Sequence, residues 1–292
     1  MSEALDATSQ QTFTANTTDG PIVGSVQGVQ GTGTPLLLLH GGPAMSDYME
    51  MLGPELAGWR AVKYQQRGLA PSAVGGPFTV ERHVADAVAV LDELGIDQAV
   101  VLGHSWGGYL ALNLALAHPE RVTGLVIIDP LGAVDDGGLV EMGQNLGSRL
   151  LPSALDQYAE VAARLATPEP TDDDMLESLR LLWPGYFADP QAAPALPSFM
   201  RASVGAYAGT FASVAELQAS GLGERLGGIE APAVFVLGEK SPMPVSQGER
   251  TAALLPRAEV QVVPAAGHLP WHEQPGCVAA ALARISELTE AS

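Results

Sequence analysis

Apolar positions along the chain follow two rhythms, and the order of those rhythms predicts the architecture. Segments Gln11–Thr17 and Ile22–Gln27 alternate apolar and polar side chains around Asp19-Gly20-Pro21, the pattern of an antiparallel hairpin. From Pro35 the runs become short and almost continuously apolar: Leu36–Leu39, Ala61–Tyr64, Ala99–Leu102, Leu125–Ile128, Ala233–Leu237 and Val260–Val263. Strands of a parallel sheet, buried on both faces, read this way. Helical spacing separates them. Val80, Val84, Val88, Leu91 and Leu94 form one stripe that begins after Thr79, a suitable N-cap, and stops at Gly95. A second helix is predicted from Trp106 to about Ala117, where His118-Pro119 ends it. Strand and helix alternating in this order predict an α/β fold with a doubly wound, mostly parallel sheet.

The alternation breaks after Asp129 and resumes at Ala233. Between them lie helix-like pieces separated by Pro152, Pro168, Pro170, Pro184, Pro190, Pro194 and Pro197. Residues 131–229 are therefore expected to form a helical cap, or lid, inserted between the sixth and seventh strands, with residues 1–130 and 230–292 making the core. Ligands of open α/β sheets bind at the carboxyl ends of the strands, so the lid is expected to cover that edge and select the substrate. Trp183, Tyr186, Phe187, Tyr207 and Phe211 either line an apolar pocket there or pack the lid onto the core.

Candidate chemistry sits where strand meets helix. Ala99–Leu102 runs into Gly103-His104-Ser105-Trp106-Gly107, a G-x-S-x-G sequence followed at once by a helical pattern. A serine at the apex of so tight a turn projects clear of the sheet, and glycines two positions to either side let strand and helix pack closely. Ser105 is the predicted nucleophile. A hydroxyl needs a base, and His268 follows the last apolar run in a loop, Gly267-His268-Leu269-Pro270, that returns to the same sheet edge. His83 and His118 fall on or at the end of helices, His272 opens the final helix, and His104 flanks the serine. A tetrahedral intermediate also needs donors. The amide of Trp106 and one from His40-Gly41-Gly42-Pro43, assigned to Gly42, are positioned for that task, while His40 is expected to organise its loop.

Leu39-His40-Gly41-Gly42-Pro43, Gln66-Arg67-Gly68-Leu69-Ala70-Pro71-Ser72, Gly103-His104-Ser105-Trp106-Gly107-Gly108 and Gly267-His268-Leu269-Pro270-Trp271-His272-Glu273, in this order, resemble the α/β-hydrolase superfamily. Within it they are most similar to the proline iminopeptidase (prolyl aminopeptidase) and related esterase branch. The resemblance covers Pro35–Asp129 and Ala233–Ala281 and hardly touches the lid. The family usually places the acid of its triad just beyond the strand corresponding to Ala233–Leu237, as Asp in a Gly-x-x-Asp pattern. Here that stretch reads Gly238-Glu239-Lys240-Ser241, and a serine cannot supply the negative charge that stabilises imidazolium. Some members carry the acid after the preceding strand, where this chain has Asp129. Asp129 is the expected acid, with Glu239, or no acid at all, as the alternatives.

Composition narrows the function classes. A formal charge of −19 with no basic cluster disfavours nucleic acid and anionic membrane surfaces as partners. One cysteine, Cys277, excludes an internal disulfide framework. No His/Cys/Asp cluster has metal-ligand spacing, and neither a G-x-G-x-x-G nor a G-K-[ST] pattern occurs, so neither metal nor cofactor is expected. Met1–Thr18 is polar and no run of eighteen apolar residues occurs, so a soluble, cytoplasmic protein is expected. The expected function is a metal-free serine hydrolase that cleaves a small-molecule ester, lactone or amide through an acyl-enzyme. Two alternatives stand beside it. An N-terminal prolyl aminopeptidase would need lid carboxylates such as Glu141, Asp156, Glu160 or Glu177 aimed at a free amine, and a repurposed fold would bind a ligand or carry out cofactor-free lyase or cyclase chemistry. A homo-oligomer is left open.

Overall fold

The computed structural model describes residues 10–28 and 34–291, so the first nine residues of the polar N-terminal stretch lie outside it. The strands are β1 (Gln11–Thr17), β2 (Gly20–Gln27), β3 (Pro35–Leu39), β4 (Arg60–Tyr64), β5 (Ala99–His104), β6 (Val122–Ile128), β7 (Ala233–Gly238) and β8 (Ala258–Val263). They form one eight-stranded sheet in the order β1-β2-β4-β3-β5-β6-β7-β8. β1 pairs with β2, and β2 with β4, antiparallel; every later pairing is parallel. The hairpin turns at Thr18-Asp19, because Thr17 already pairs with Gly20 and Pro21 belongs to β2.

The continuous apolar runs bury both faces of the sheet, as the period of two along a strand requires. Leu37 and Leu39 join the core beneath α1 (Val80–Glu93) and α2 (Trp106–Ala117), while Leu36 and Leu38 join the opposite core with residues of the C-terminal helix. Each such side chain contributes about 1.5–3 kcal/mol when fully buried. β8 departs from the expectation. It is the terminal strand of the sheet, and Val260 and Val262 are 40% and 44% exposed.

Thr79 caps α1, its hydroxyl accepting the amide hydrogen of Arg82 at 3.1 Å, and Gly95 with φ +60° follows the helix end. α2 is buried from Trp106 through Ala115. The segment between β6 and β7 is helical, with α3 (Leu139–Ser148), α4 (Leu155–Leu165), α5 (Asp172–Leu182), α6 (Val204–Ala219) and α7 (Leu222–Arg225). After β7 come α8 (Val245–Ala252), α9 (Pro270–Glu273) and α10 (Cys277–Glu290).

One feature of the strand order positions the site. From β3 the chain crosses to β4 on one side and later to β5 on the other. The carboxyl ends of β3 and β5 therefore diverge into a crevice, where open α/β sheets hold their ligands. His40-Gly41-Gly42 leaves β3 there, and Ser105 leaves β5.

Candidate active site

Ser105 stands between β5 and α2 with φ +55° and ψ −120°, a region that costs a non-glycine residue about 1–3 kcal/mol. The surroundings hold it there. Its amide donates to the carbonyl of Ile128 at 2.9 Å, and its carbonyl accepts from the amides of Gly108 at 3.0 Å and Leu131 at 3.1 Å. Close approach explains the flanking glycines: a Cβ on Gly103 would run into the Gly107 carbonyl, and a Cβ on Gly107 into that of Leu39. The Ser105 side chain then faces a cavity of about 250 Å³.

His268 borders the same cavity. Its backbone is fixed on both sides, the amide donating to the Tyr186 carbonyl at 2.7 Å and the carbonyl accepting from His104 Nε2 at 2.7 Å. Burial to 3% exposure, reinforced by nearby His104, pushes the His268 pKa well below the usual histidine value, so the ring is neutral at physiological pH. Its Nδ1 lies 3.1 Å from Ser241 Oγ.

Asp129 follows β6 at the floor of this arrangement, 1% exposed, with the Gly238 amide 3.2 and 3.1 Å from its two carboxylate oxygens. Burial raises its pKa well above the ordinary carboxylate range, against the Gly238 amide and the Ser241 hydroxyl, which hold it down through hydrogen bonds. Asp129, the expected acid, makes no hydrogen bond to His268 among the described residues. The hydroxyl of Ser241 stands at the far nitrogen instead, 3.1 Å from Nδ1. Glu239, the alternative acid, points elsewhere: its carboxylate accepts from the Ala265 amide at 3.0 Å and lies 3.6 Å from the Lys240 ammonium.

The two candidate oxyanion donors flank the serine. Gly42 has φ +57°, and a Cβ there would press on Met45 Sδ at 2.5 Å. Trp106 is the first residue of α2, where helix geometry leaves its amide without an intrahelical acceptor. Neither amide has an acceptor among the described residues. The indole of Trp106 donates to Gln66 Oε1 at 2.8 Å, and Gln66 Nε2 donates to the His40 carbonyl at 2.8 Å. His40 Nε2 accepts from the Gln66 amide at 3.1 Å, so Nδ1 carries the proton and donates to the Gly41 carbonyl at 2.9 Å. His40 thus holds its loop together by hydrogen bonding, as its position predicts.

Tyr48 was not singled out from the sequence. Its hydroxyl accepts from the Gly41 amide at 3.0 Å and donates to His104 Nδ1 at 2.6 Å, a direction set by His104 Nε2–H, which already donates to His268. No motif surrounds Tyr48, so no signal in the sequence marks it. Of the other histidines, His83 is buried against Trp106 and Thr210, His118 pairs with Glu120 at the surface, and His272 meets the edge of Phe187.

Much of the cavity wall comes from the segment between β6 and β7. Trp183, Tyr186, Tyr207 and Phe211 line it, whereas Phe187 packs edge-on against Trp183 and is not among the lining residues. No Asp, Glu, Lys or Arg is among the lining residues. Glu141, Asp156, Glu160 and Glu177 all lie off the cavity, and Glu177 pairs with Arg164 instead. Among the described residues no cluster of three or more His, Cys, Asp or Glu is placed to hold a metal ion, and no helix is long and apolar enough to cross a membrane.

Residues 34–275, from β3 through α9, match the family model described as alpha/beta hydrolase fold. The chain is 42% identical over 113 residues to the 2-hydroxymuconate semialdehyde hydrolase of Pseudomonas putida, a stretch covering 35% of this chain and 38% of that one. It is 38% identical over 108 residues to the proline iminopeptidase of Lactobacillus delbrueckii subsp. bulgaricus, covering 34% and 37%. The chain thus matches less than two fifths of the length of these curated relatives. Among solved structures, the 2-hydroxy-6-oxo-6-phenylhexa-2,4-dienoate hydrolase of Rhodococcus sp. strain RHA1 shares the fold with a TM-score of 0.66 at 18% identity, over 96% of this chain and 100% of that one. A family model spanning the parallel sheet and the helical segment within it makes this chain a member of the α/β-hydrolase fold family.

Proposed function

We propose that the chain is a serine hydrolase that cleaves a small, uncharged ester, lactone or amide through an acyl-enzyme. The observation that carries this reading is that Ser105, on its strained turn, and His268, with Nδ1 already engaged, border one apolar cavity.

In this reading His268 Nε2 takes the proton of Ser105 as Oγ attacks the substrate carbonyl carbon. The carbonyl oxygen becomes an oxyanion between the amides of Gly42 and Trp106. Collapse of the intermediate breaks the bond to the leaving group, which departs with the proton from His268 Nε2. Water then repeats the sequence on the acyl-enzyme: its proton passes to Nε2, and its oxygen displaces Ser105, which recovers that proton. Asp129 supplies the negative charge that favours imidazolium in both transition states. The helical segment 131–229 selects the substrate through its apolar wall.

The names of the relatives suggest a competing substrate, a peptide with N-terminal proline. The lining weighs against it. A free ammonium in this cavity would find no carboxylate, and burying a charge without a partner is strongly unfavourable. Kinetics on p-nitrophenyl butyrate and L-proline p-nitroanilide decide between them. The neutral ester is expected to be preferred in kcat/KM by roughly a hundredfold or more, the equivalent of about 3 kcal/mol. A preference for the proline substrate would overturn the assignment.

A further inference from the structure

We propose that Ser241 is a positioning residue that joins Asp129 to His268, its hydroxyl accepting the proton of Nδ1 and donating its own to the Asp129 carboxylate. The inference rests on the serine hydrolase reading above and specifies how that site delivers its negative charge.

Hydrogen-bond capacity makes the case. A serine hydroxyl has one proton and two lone pairs. Ser241 Oγ accepts from the Met243 amide at 3.2 Å and lies 3.1 Å from His268 Nδ1, and its hydroxyl is near enough to Asp129 to help hold that carboxyl's pKa down. Accepting from both nitrogens fills its two lone pairs and leaves its proton for Asp129. At 7% exposure the residue is buried, with its partners packed around it. The backbone holds the triplet in register: the Ser241 amide donates to the Gly238 carbonyl at 3.0 Å, and the Gly238 amide donates to the Asp129 carboxylate. The last residue of β7 therefore grips the acid, and Ser241, three residues on, grips the base.

Direction follows from the same count. When Asp129 is ionised its carboxylate only accepts, so the hydroxyl proton goes to Asp129 and Nδ1 must donate to the vacant lone pair. Nε2 is then bare and able to take the proton of Ser105. If Asp129 is replaced by a donor, the chain reverses: Ser241 turns its proton onto Nδ1, and the proton of the neutral ring moves to Nε2, where it blocks the base. Asp129→Asn does this, because its amide nitrogen can donate to Ser241 while its oxygen keeps the Gly238 amide. Holding the wrong histidine tautomer is known to cost about 10⁴-fold in turnover.

The test compares wild type with Ser241→Ala, Ser241→Val, Ser241→Thr, Asp129→Asn and the Ser241→Ala/Asp129→Asn double variant, using p-nitrophenyl butyrate turnover and fluorophosphonate labelling of Ser105. Ser241→Ala and Ser241→Val are expected to lose on the order of 10²-fold or more in kcat with KM little changed. Ser241→Thr, which matches valine in shape but keeps the hydroxyl, should recover most of that loss. The double variant should be no slower than the slower single one, because both changes break one chain. A Ser241→Ala enzyme with wild-type kcat, equal rates for the threonine and valine variants, or losses that multiply in the double variant would overturn the proposal. Nitrogen-15 NMR of the unaltered protein gives a check that does not depend on variant folding: His268 should carry its proton on Nδ1, and a proton on Nε2 contradicts the proposal. If wild-type Ser105 fails to react with the probe, the hydrolase reading itself falls and takes this inference with it. A reactive Ser105 that is indifferent to residue 241 sinks the link alone.

Discussion

The ring of His104 donates from Nε2 to the backbone carbonyl of His268 at 2.7 Å, and that bond ties the residue before Ser105 to the loop of the candidate base. On its other side His104 Nδ1 accepts from Tyr48, whose hydroxyl also receives the Gly41 amide. The chain runs from the candidate oxyanion loop to the loop of the candidate base without a break. Burial drops the His104 pKa to about 4, so the ring is neutral and each nitrogen keeps a single role.

Tyr48→Phe removes the shared hydroxyl and leaves the Gly41 amide and His104 Nδ1 without partners. A stability loss of about 1–3 kcal/mol is expected from those buried groups, read as a lower urea midpoint. Turnover of p-nitrophenyl butyrate should fall with it, by about tenfold, because Gly41 adjoins the oxyanion donor. Unchanged stability and turnover would show that Tyr48 merely fills space.

Arg67 and Asp86 form a bidentate ion pair at 2.6 and 2.7 Å with both side chains fully buried, and Arg82 adds a second guanidinium to the same carboxylate. The pair ties the loop after β4 to α1. Asp86→Ala strands Arg67 in the interior and is expected to destabilise the fold by about 3–5 kcal/mol. Replacing both, as Arg67→Met with Asp86→Leu, should cost less than the single change, and urea titration of the two variants measures the difference. A double variant less stable than Asp86→Ala would mean that the pair contributes more than its desolvation takes away.

Acid should destabilise the fold through its buried histidines. Burial lowers the pKa of His83 to about 3 and of His104 to about 4, and pushes His40 and His268 down as well. In the unfolded chain these rings titrate near 6.5, so below that pH the unfolded state binds protons the folded state refuses. Stability from this source is complete above about pH 6.5 and is lost as pH falls toward the folded values, at up to about 1.4 kcal/mol per pH unit for each ring. Asp129 has the opposite sign, since its raised pKa favours the folded state as the carboxyl takes up its proton. His83→Gln isolates one ring: between pH 6 and 4 its stability should fall less steeply than wild type by about one proton's worth. Parallel curves for the two proteins would contradict the pKa order.

Most of the sheet was legible in the sequence because parallel strands carry their burial as unbroken apolar runs. Leu36–Leu39 and Ala99–Leu102 lie inside the observed β3 and β5. Thr79 and Gly95 marked the ends of α1 by chemistry that acts locally. Val260–Val263 has the same composition as an interior strand but lies at the sheet edge, a matter of strand order that no local pattern encodes. The turn carrying Ser105 was legible because its backbone demands glycine at fixed offsets. Ser241 was visible only as a serine in the usual acid's place, and the roles of Ser241 and Tyr48 were not legible, since they depend on side chains brought together from distant segments. Asp129 could be found as an acid next to the crevice, yet its reach to His268 depended on what stood between them.

The most direct measurement is the reaction of Ser105 with a fluorophosphonate probe, followed by mass spectrometry of the wild type and of Ser105→Ala. Wild type is expected to be phosphonylated stoichiometrically at Ser105, with labelling blocked by prior incubation with a neutral ester substrate, and the alanine variant is expected to stay unlabelled. A folded wild type that resists the probe, or labelling that persists at another residue in Ser105→Ala, would contradict the serine hydrolase reading.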